Sequence, residues 1–176
     1  MGFRHRPRPG RAYFAGAPLL VAHRGGSRLA PENTMAAFES AVRDWGADML
    51  ELDVRLSKDG VVMVIHDDSV DRTTNGAGLV STYTAQELKQ LDAGHHFLNL
   101  EGDPSFRDKG VTIPTLNELL EALPAVWLNI EAKEAQVAGP LVEVIRSHGA
   151  ASRGRGARRG QLRAAEVGHV IVFREM

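Results

Sequence analysis

Cysteine is absent from all 176 residues, which excludes disulfides and thiolate metal sites together. Any metal must therefore be held by oxygen or imidazole. An excess of either charge is also missing. With 21 basic against 22 acidic side chains, the chain as a whole has no electrostatic pull toward nucleic acid or an anionic membrane. No apolar run approaches the roughly 20 residues that a membrane-spanning helix needs. The stretch from Ala12 to Ala22 faintly echoes a secretory signal, but Gly16 and Pro18 interrupt it and it runs directly into His23 and Arg24. A cytoplasmic location is the default expectation. The 43% of hydrophobic and 24% of charged residues suffice for one domain with a substantial core.

The charges are unevenly placed. Arg4, Arg6, Arg8 and Arg11 make residues 1–18 a basic arm, and five arginines with no acid fall between residues 153 and 163. Residues 150–176 read as an atypical Arg/Gly-rich tail, a composition that resembles a basic linker rather than a buried strand. That stretch lacks the interleaved aromatics on which single-stranded nucleic acid stacks, so no nucleic-acid partner is expected.

Between the two basic ends, strands alternate with helices. Leu19 to Ala22 is a short apolar strand. After His23-Arg24-Gly25-Gly26, Pro31-Glu32-Asn33-Thr34 opens a helix with Met35, Phe38, Val42 and Trp45 at helical spacing and Gly46 as its stop. Trp45 and Trp127 are both expected in the core. Residues 47–55 then alternate, with Leu50, Leu52 and Val54 on one face and Met49, Glu51, Asp53 and Arg55 on the other. Lys58-Asp59-Gly60 is a turn, and Val61 to Ile65 is a continuous apolar strand ending at His66. A long connection follows, with one helix opened by the capping box Thr84-Ala85-Gln86-Glu87. A second capping box, Thr115-Leu116-Asn117-Glu118, opens the next helix. Strand 125–130 leads into Glu131-Ala132-Lys133, and a helix runs from about Ala138 to His148. Such alternation argues for a parallel sheet, either doubly wound or closed as a barrel.

The ends of these strands carry the chemistry. His23 and Arg24 follow the first strand, Glu51 and Asp53 sit on the second, His66 and Asp67 follow the third, and Glu131 and Lys133 close the fourth. Leu50, Leu52 and Val54 must pack against helices, so the acids face the other side of the sheet, where they are costly unless a positive charge meets them. Three carboxylates without sulfur suit a hard divalent cation, Mg²⁺ or Ca²⁺. Arg24 and Lys133 suit phosphate oxygens, and two histidines suit proton transfer, the parts that phosphodiester cleavage needs. His95-His96 is expected to be an exposed loop rather than a metal pair.

His23-Arg24-Gly25-Gly26, Pro31-Glu32-Asn33-Thr34, Glu51-Leu52-Asp53-Val54, His66-Asp67 with Asp71-Arg72-Thr73-Thr74-Asn75-Gly76, Ile113-Pro114-Thr115-Leu116 and Leu128-Asn129-Ile130-Glu131-Ala132-Lys133 occur in that order. Over roughly residues 19–149 the chain resembles the glycerophosphodiester phosphodiesterase family. The resemblance implies an α/β fold of the TIM-type (β/α)₈ barrel, with a small insertion over about residues 67–112. It implies Glu51, Asp53 and Glu131 as metal ligands, His23 and His66 as the acid/base pair, and Arg24 and Lys133 as phosphate ligands. It also implies hydrolysis of glycerophosphodiesters to glycerol 3-phosphate and an alcohol. Lipid phosphodiesters are the alternative substrate class.

Such barrels take about 250 residues to close. An incomplete barrel of about four to five parallel strands is therefore expected, 19–149 being a partial domain. Three accounts fit the loss of apolar pattern after Gly149: a truncated or frame-shifted product, two half-barrels pairing, or Val170 to Phe173 adding a strand to an open sheet. The first is favoured, with an inactive fragment or anion-binding remnant as the competing function. Oligomeric state is left open.

Overall fold

The computed structural model describes residues 19–148 and 170–174. The basic arm over 1–18, and all of the tail over 150–176 except residues 170–174, lie outside the described residues. The sheet is built from β1 (Val21–His23), β2 (Met49–Leu56), β3 (Val62–Val64), β4 (Trp127–Ala132) and β5 (Val170–Arg174). Four helices accompany it: α1 (Met35–Arg43), α2 (Ala85–Leu88), α3 (Leu116–Ala122) and α4 (Ala138–Ser147).

The parallel path runs β1-β2-β4-β5. Strand β2 is its centre, paired with β1 through Ala22↔Leu50 and with β4 through Leu52↔Ile130. Its alternation behaves as expected. Leu50, Leu52 and Val54 are fully buried, together with Leu128 and Ile130 of β4, against Phe38 of α1, Leu116 and Leu119 of α3, and Leu141 and Ile145 of α4. Three of these helices begin where a polar side chain satisfies their first amides, whereas α4 follows Val137 with no side-chain cap. Thr34 caps α1, while Thr84 and Thr115 close reciprocal capping boxes with Glu87 and Glu118 on α2 and α3.

Strand β3 departs from the expected all-parallel sheet. It lies antiparallel on the far end of β2, through Val54↔Val64 and Leu56↔Val62, joined by a turn at Lys58–Gly60 in which the Ser57 amide donates to the Val61 carbonyl (3.0 Å). Its unbroken apolar run has a local cause. Val62 and Val64 enter the main core, whereas Met63 and Ile65 face a second core with Val70, Val80, Leu88 and Ala93 of the 67–112 segment and Ile113 just beyond it. A strand buried on both faces reads the same whichever way it runs. The sheet thus holds four parallel strands and one antiparallel strand.

At the margins, residues 170–174 pair parallel with β4 as β5, the further strand that one of the three accounts of the tail allowed. Trp45, in contrast to the expectation, is not in the core. Helix α1 ends at Arg43, and the indole beyond it is 58% exposed, lining one surface depression with Leu20, Val21 and Leu29, which are themselves exposed at and around β1. Among the described residues, no helix is long and apolar enough to cross a membrane.

Candidate active site

The polar face of the sheet assembles one cluster. Parallel register sets His23 beside Glu51, Glu51 beside Asn129, and Asp53 beside Glu131. Glu51, Asp53 and Glu131 each offer a carboxylate oxygen, and those oxygens all lie within 4.8 Å of one another. Asp53 is 1% exposed, and its Oδ1 accepts no hydrogen bond from the described residues. Burial, with the neighbouring Asp53 charge added, pushes the Glu51 carboxyl above its ordinary value. An oxygen-only donor set, an acceptor oxygen without a hydrogen and a carboxyl strained by its neighbour are what a hard divalent cation would relieve.

Cations already meet part of this charge. The Lys133 ammonium, 5% exposed, donates to Glu131 Oε1 (3.0 Å) and lies 3.8 Å from Asp53 Oδ1. Arg24 Nε is 3.3 Å from Asp53 Oδ2. Its backbone takes the left-handed conformation (φ 51°) and aims its amide at Glu51 Oε2 (3.0 Å). The loop that holds this turn is seated, not free. A Cβ on Gly25, itself at φ 78°, would fall 2.8 Å from that of Ala37 and 2.9 Å from the Phe38 ring, so α1 fixes the loop and demands glycine there.

The histidines stand on either side. His23 Nε2 is 3.9 Å from Glu51 Oε2, and the ring is 65% exposed. His66 is delivered by the β2–β3 hairpin instead of by a parallel strand. The Ile65 amide bonds the Asp53 carbonyl (3.0 Å), and Arg55 Nε bonds the His66 carbonyl (2.8 Å), which returns the chain to the level of the acids. His66 Nδ1 is 2.6 Å from Asp67 Oδ1. All seven residues singled out in the sequence therefore belong to this face or to the loops at its rim. His95 and His96 sit in a turn, and no described metal-competent group includes them.

Four residues acquire contacts that the sequence reading gave no role. Asn33, buried and left-handed (φ 56°), donates from Nδ2 to Asp53 Oδ2 (2.9 Å). Glu32 accepts from Arg24 (3.0 Å) and from Arg72 (2.7 and 2.9 Å), and Arg72 also grips Asp67. Burial alone would raise the Glu32 carboxyl, yet the two guanidinium groups hold it below its ordinary value. Arg55 is the fourth. The signal for Asn33 was its residue type, since Asn tolerates the left-handed region better than other side chains.

The Glycerophosphoryl diester phosphodiesterase family profile matches residues 23–142. A glycerophosphodiester phosphodiesterase of Caldanaerobacter subterraneus subsp. tengcongensis is 48% identical over 127 residues, covering 71% of this chain and 49% of the relative. The corresponding protein of Bacillus altitudinis is 46% identical over 127 residues, 70% of this chain and 49% of its own. Among solved structures, a glycerophosphodiester phosphodiesterase from Agrobacterium tumefaciens strain C58 superposes with a TM-score of 0.71 at 37% identity, covering 89% of this chain and 57% of that one. A phosphodiesterase of Oleispira antarctica, solved with the product sn-glycerol-3-phosphate, gives 0.65 at 39% identity, covering 74% and 53%. These neighbours indicate a TIM-barrel-type fold. The chain spans about half the length of the curated relatives it matches.

Proposed function

The chain belongs to the glycerophosphoryl diester phosphodiesterase family, and from that premise we propose that its site hydrolyses glycerophosphodiesters to sn-glycerol 3-phosphate and an alcohol. The observation that carries this reading is the buried Asp53 Oδ1, without a hydrogen bond, beside Glu51 and Glu131 within one ion's reach. These three residues would hold Mg²⁺ or Ca²⁺. A divalent cation bound there supplies charge neutralisation to phosphoryl oxygens. The remaining roles fall to side chains of the chain itself. Arg24 and Lys133 bind non-bridging phosphate oxygens. One histidine of the pair His23 and His66 takes a proton from the attacking oxygen, either water itself or a glycerol hydroxyl whose cyclic phosphate water then opens, and the other protonates the departing alkoxide as its bond to phosphorus breaks. Asp67 accepts a hydrogen bond from Nδ1–H of His66, leaving Nε2 as the atom that can exchange a proton with substrate.

Residues 19–149 then carry the site, with an insertion over about 67–112, on a sheet of TIM-barrel type. A second reading, an inactive remnant that still binds anions, draws on the exposed apolar residues beside β1. One assay separates the two. The purified full chain is given glycerophosphocholine with Mg²⁺ or Ca²⁺, and release of glycerol 3-phosphate is followed. Hydrolase activity predicts metal-dependent release that Glu51→Gln abolishes. A cooperatively folded chain that releases none with either ion is the remnant.

A further inference from the structure

A single guanidinium joins the two halves of the proposed machinery. Arg72 lies in the 67–112 segment, 40 residues from Glu32 in the β1–α1 loop. Its Nε and Nη2 bond the two oxygens of Asp67 (2.6 and 3.0 Å), and its Nη1 and Nη2 bond the two oxygens of Glu32 (2.9 and 2.7 Å). Beyond Asp67 stands His66 Nδ1, at 2.6 Å. Beyond Glu32 stands Arg24 Nη1, at 3.0 Å, whose Nε reaches Asp53. The result is one line of alternating groups, His66–Asp67–Arg72–Glu32–Arg24–Asp53, running from a proton-transferring ring to an acid of the cation cluster.

We propose that Arg72 is a positioning residue: bidentate on both carboxylates, it sets the tautomer and orientation of His66 through Asp67 and the placement of Arg24 through Glu32. The inference rests on the hydrolase reading for its catalytic consequence, but its structural content does not.

The geometry favours positioning over bulk stability. Arg72 is half exposed, and an isolated pair so exposed adds little to folding. Holding a planar fork against two carboxylates at once, however, restricts both of them, and an Asp that cannot rotate leaves its histidine partner one way to point. The hydrogen bond from Arg72 keeps the Asp67 carboxyl well below its ordinary range, so Asp67 stays an acceptor for the His66 Nδ1 proton. Lysine cannot reproduce this arrangement, because one ammonium on a flexible stem does not offer two parallel pairs of donors.

The test compares the full chain with Arg72→Ala and Arg72→Lys, using ¹⁵N-imidazole NMR of His66 at a pH where the ring is neutral. The parent is expected to show the Nδ1–H tautomer, and both variants a mixture. Melting temperatures should stay within about 3 °C of the parent, and Arg43→Ala, which removes an exposed pair with Asp44, should match the parent throughout. On glycerophosphocholine, both Arg72 variants should lose about 10- to 100-fold in kcat, as partners of this kind do elsewhere. A His66 ring that keeps the parent's tautomer in both variants overturns the clamp, whatever the turnover. Absence of turnover in the parent overturns the hydrolase reading alone, since the tautomer comparison decides the clamp without it. Should Arg72→Ala fail to fold, Arg72→Lys carries the same comparison.

Discussion

The two faces of β2 are made from one run of eight residues, yet they are governed by opposite physics. One face is Leu50, Leu52 and Val54, all at 0% exposure and enclosed by three helices. The other is Glu51, Asp53 and Arg55, where like charges are brought close and each is met by a specific partner. Burial on the first face contributes on the order of 1.5–3 kcal/mol per side chain. Crowding of carboxylates on the second works against folding, and a cation bound there would relieve it. The apolar face therefore supplies the rigidity that keeps the acids together, which an isolated cluster of carboxylates cannot do for itself.

Substitutions on the two faces should separate function from stability. Asp53→Asn is expected to have the largest effect. On the proposed function Asp53 is a cation ligand, and its loss should remove several kcal/mol of charge stabilisation, about 10³-fold or more in turnover, and abolish the rise in melting temperature expected of the parent with Mg²⁺ or Ca²⁺. A variant that keeps both responses would show that the ion sits elsewhere. On the opposite face, Leu52→Ala should cost about 2–5 kcal/mol by urea denaturation. Asn33→Gly retains the left-handed turn but removes the amide that holds Asp53, and it should lower turnover about 10- to 100-fold with little change in the urea midpoint. Thr115→Ala, which uncaps the helix covering the apolar face, should cost about 1 kcal/mol and leave kcat unchanged.

The smallest expected effect is on pH dependence in chelator. Glu32 and Asp67 have lowered carboxyl pKa values. Their contribution is therefore complete above the ordinary carboxylate range near 4 and lost as pH falls through the lowered values. Glu51 is raised and has the opposite sign: its contribution is present below the ordinary range and lost as pH rises through its folded value. Urea midpoints measured between pH 3 and 7 should thus fall on the acid side for the parent, and fall less for Glu32→Gln. Glu51→Gln should gain stability toward neutral pH.

Much of this arrangement was legible in the sequence. The alternation over 47–55 separated the two faces of β2 correctly, because a period of two is the strand's own geometry. Both capping boxes marked true helix starts, since a Thr and a Glu three residues later satisfy amides locally and need no tertiary context. The direction of β3 was not legible. A run buried on both sides carries no period, and Met63 and Ile65 are buried by residues up to 50 positions further along, Ile113 being the last. Trp45 misled for a different reason: its spacing fits α1, but the helix stops at Arg43 and the indole falls past the end. Arg55, Asn33 and Arg72 stood in the quoted motifs or on the charged face. Their roles appear only when Glu32, His66 and Asp53, distant in sequence, come within hydrogen-bonding reach.

Because β2 continues past the acids to Leu56, Glu51 and Asp53 sit in the interior of a strand laced to β1, β3 and β4 at once. Their amide protons should be among the slowest in the chain to exchange with deuterated water. The two carboxylates thus stand on a backbone that does not fray, so an ion bound there would leave by exchange with water while the acids stay in register for the next one.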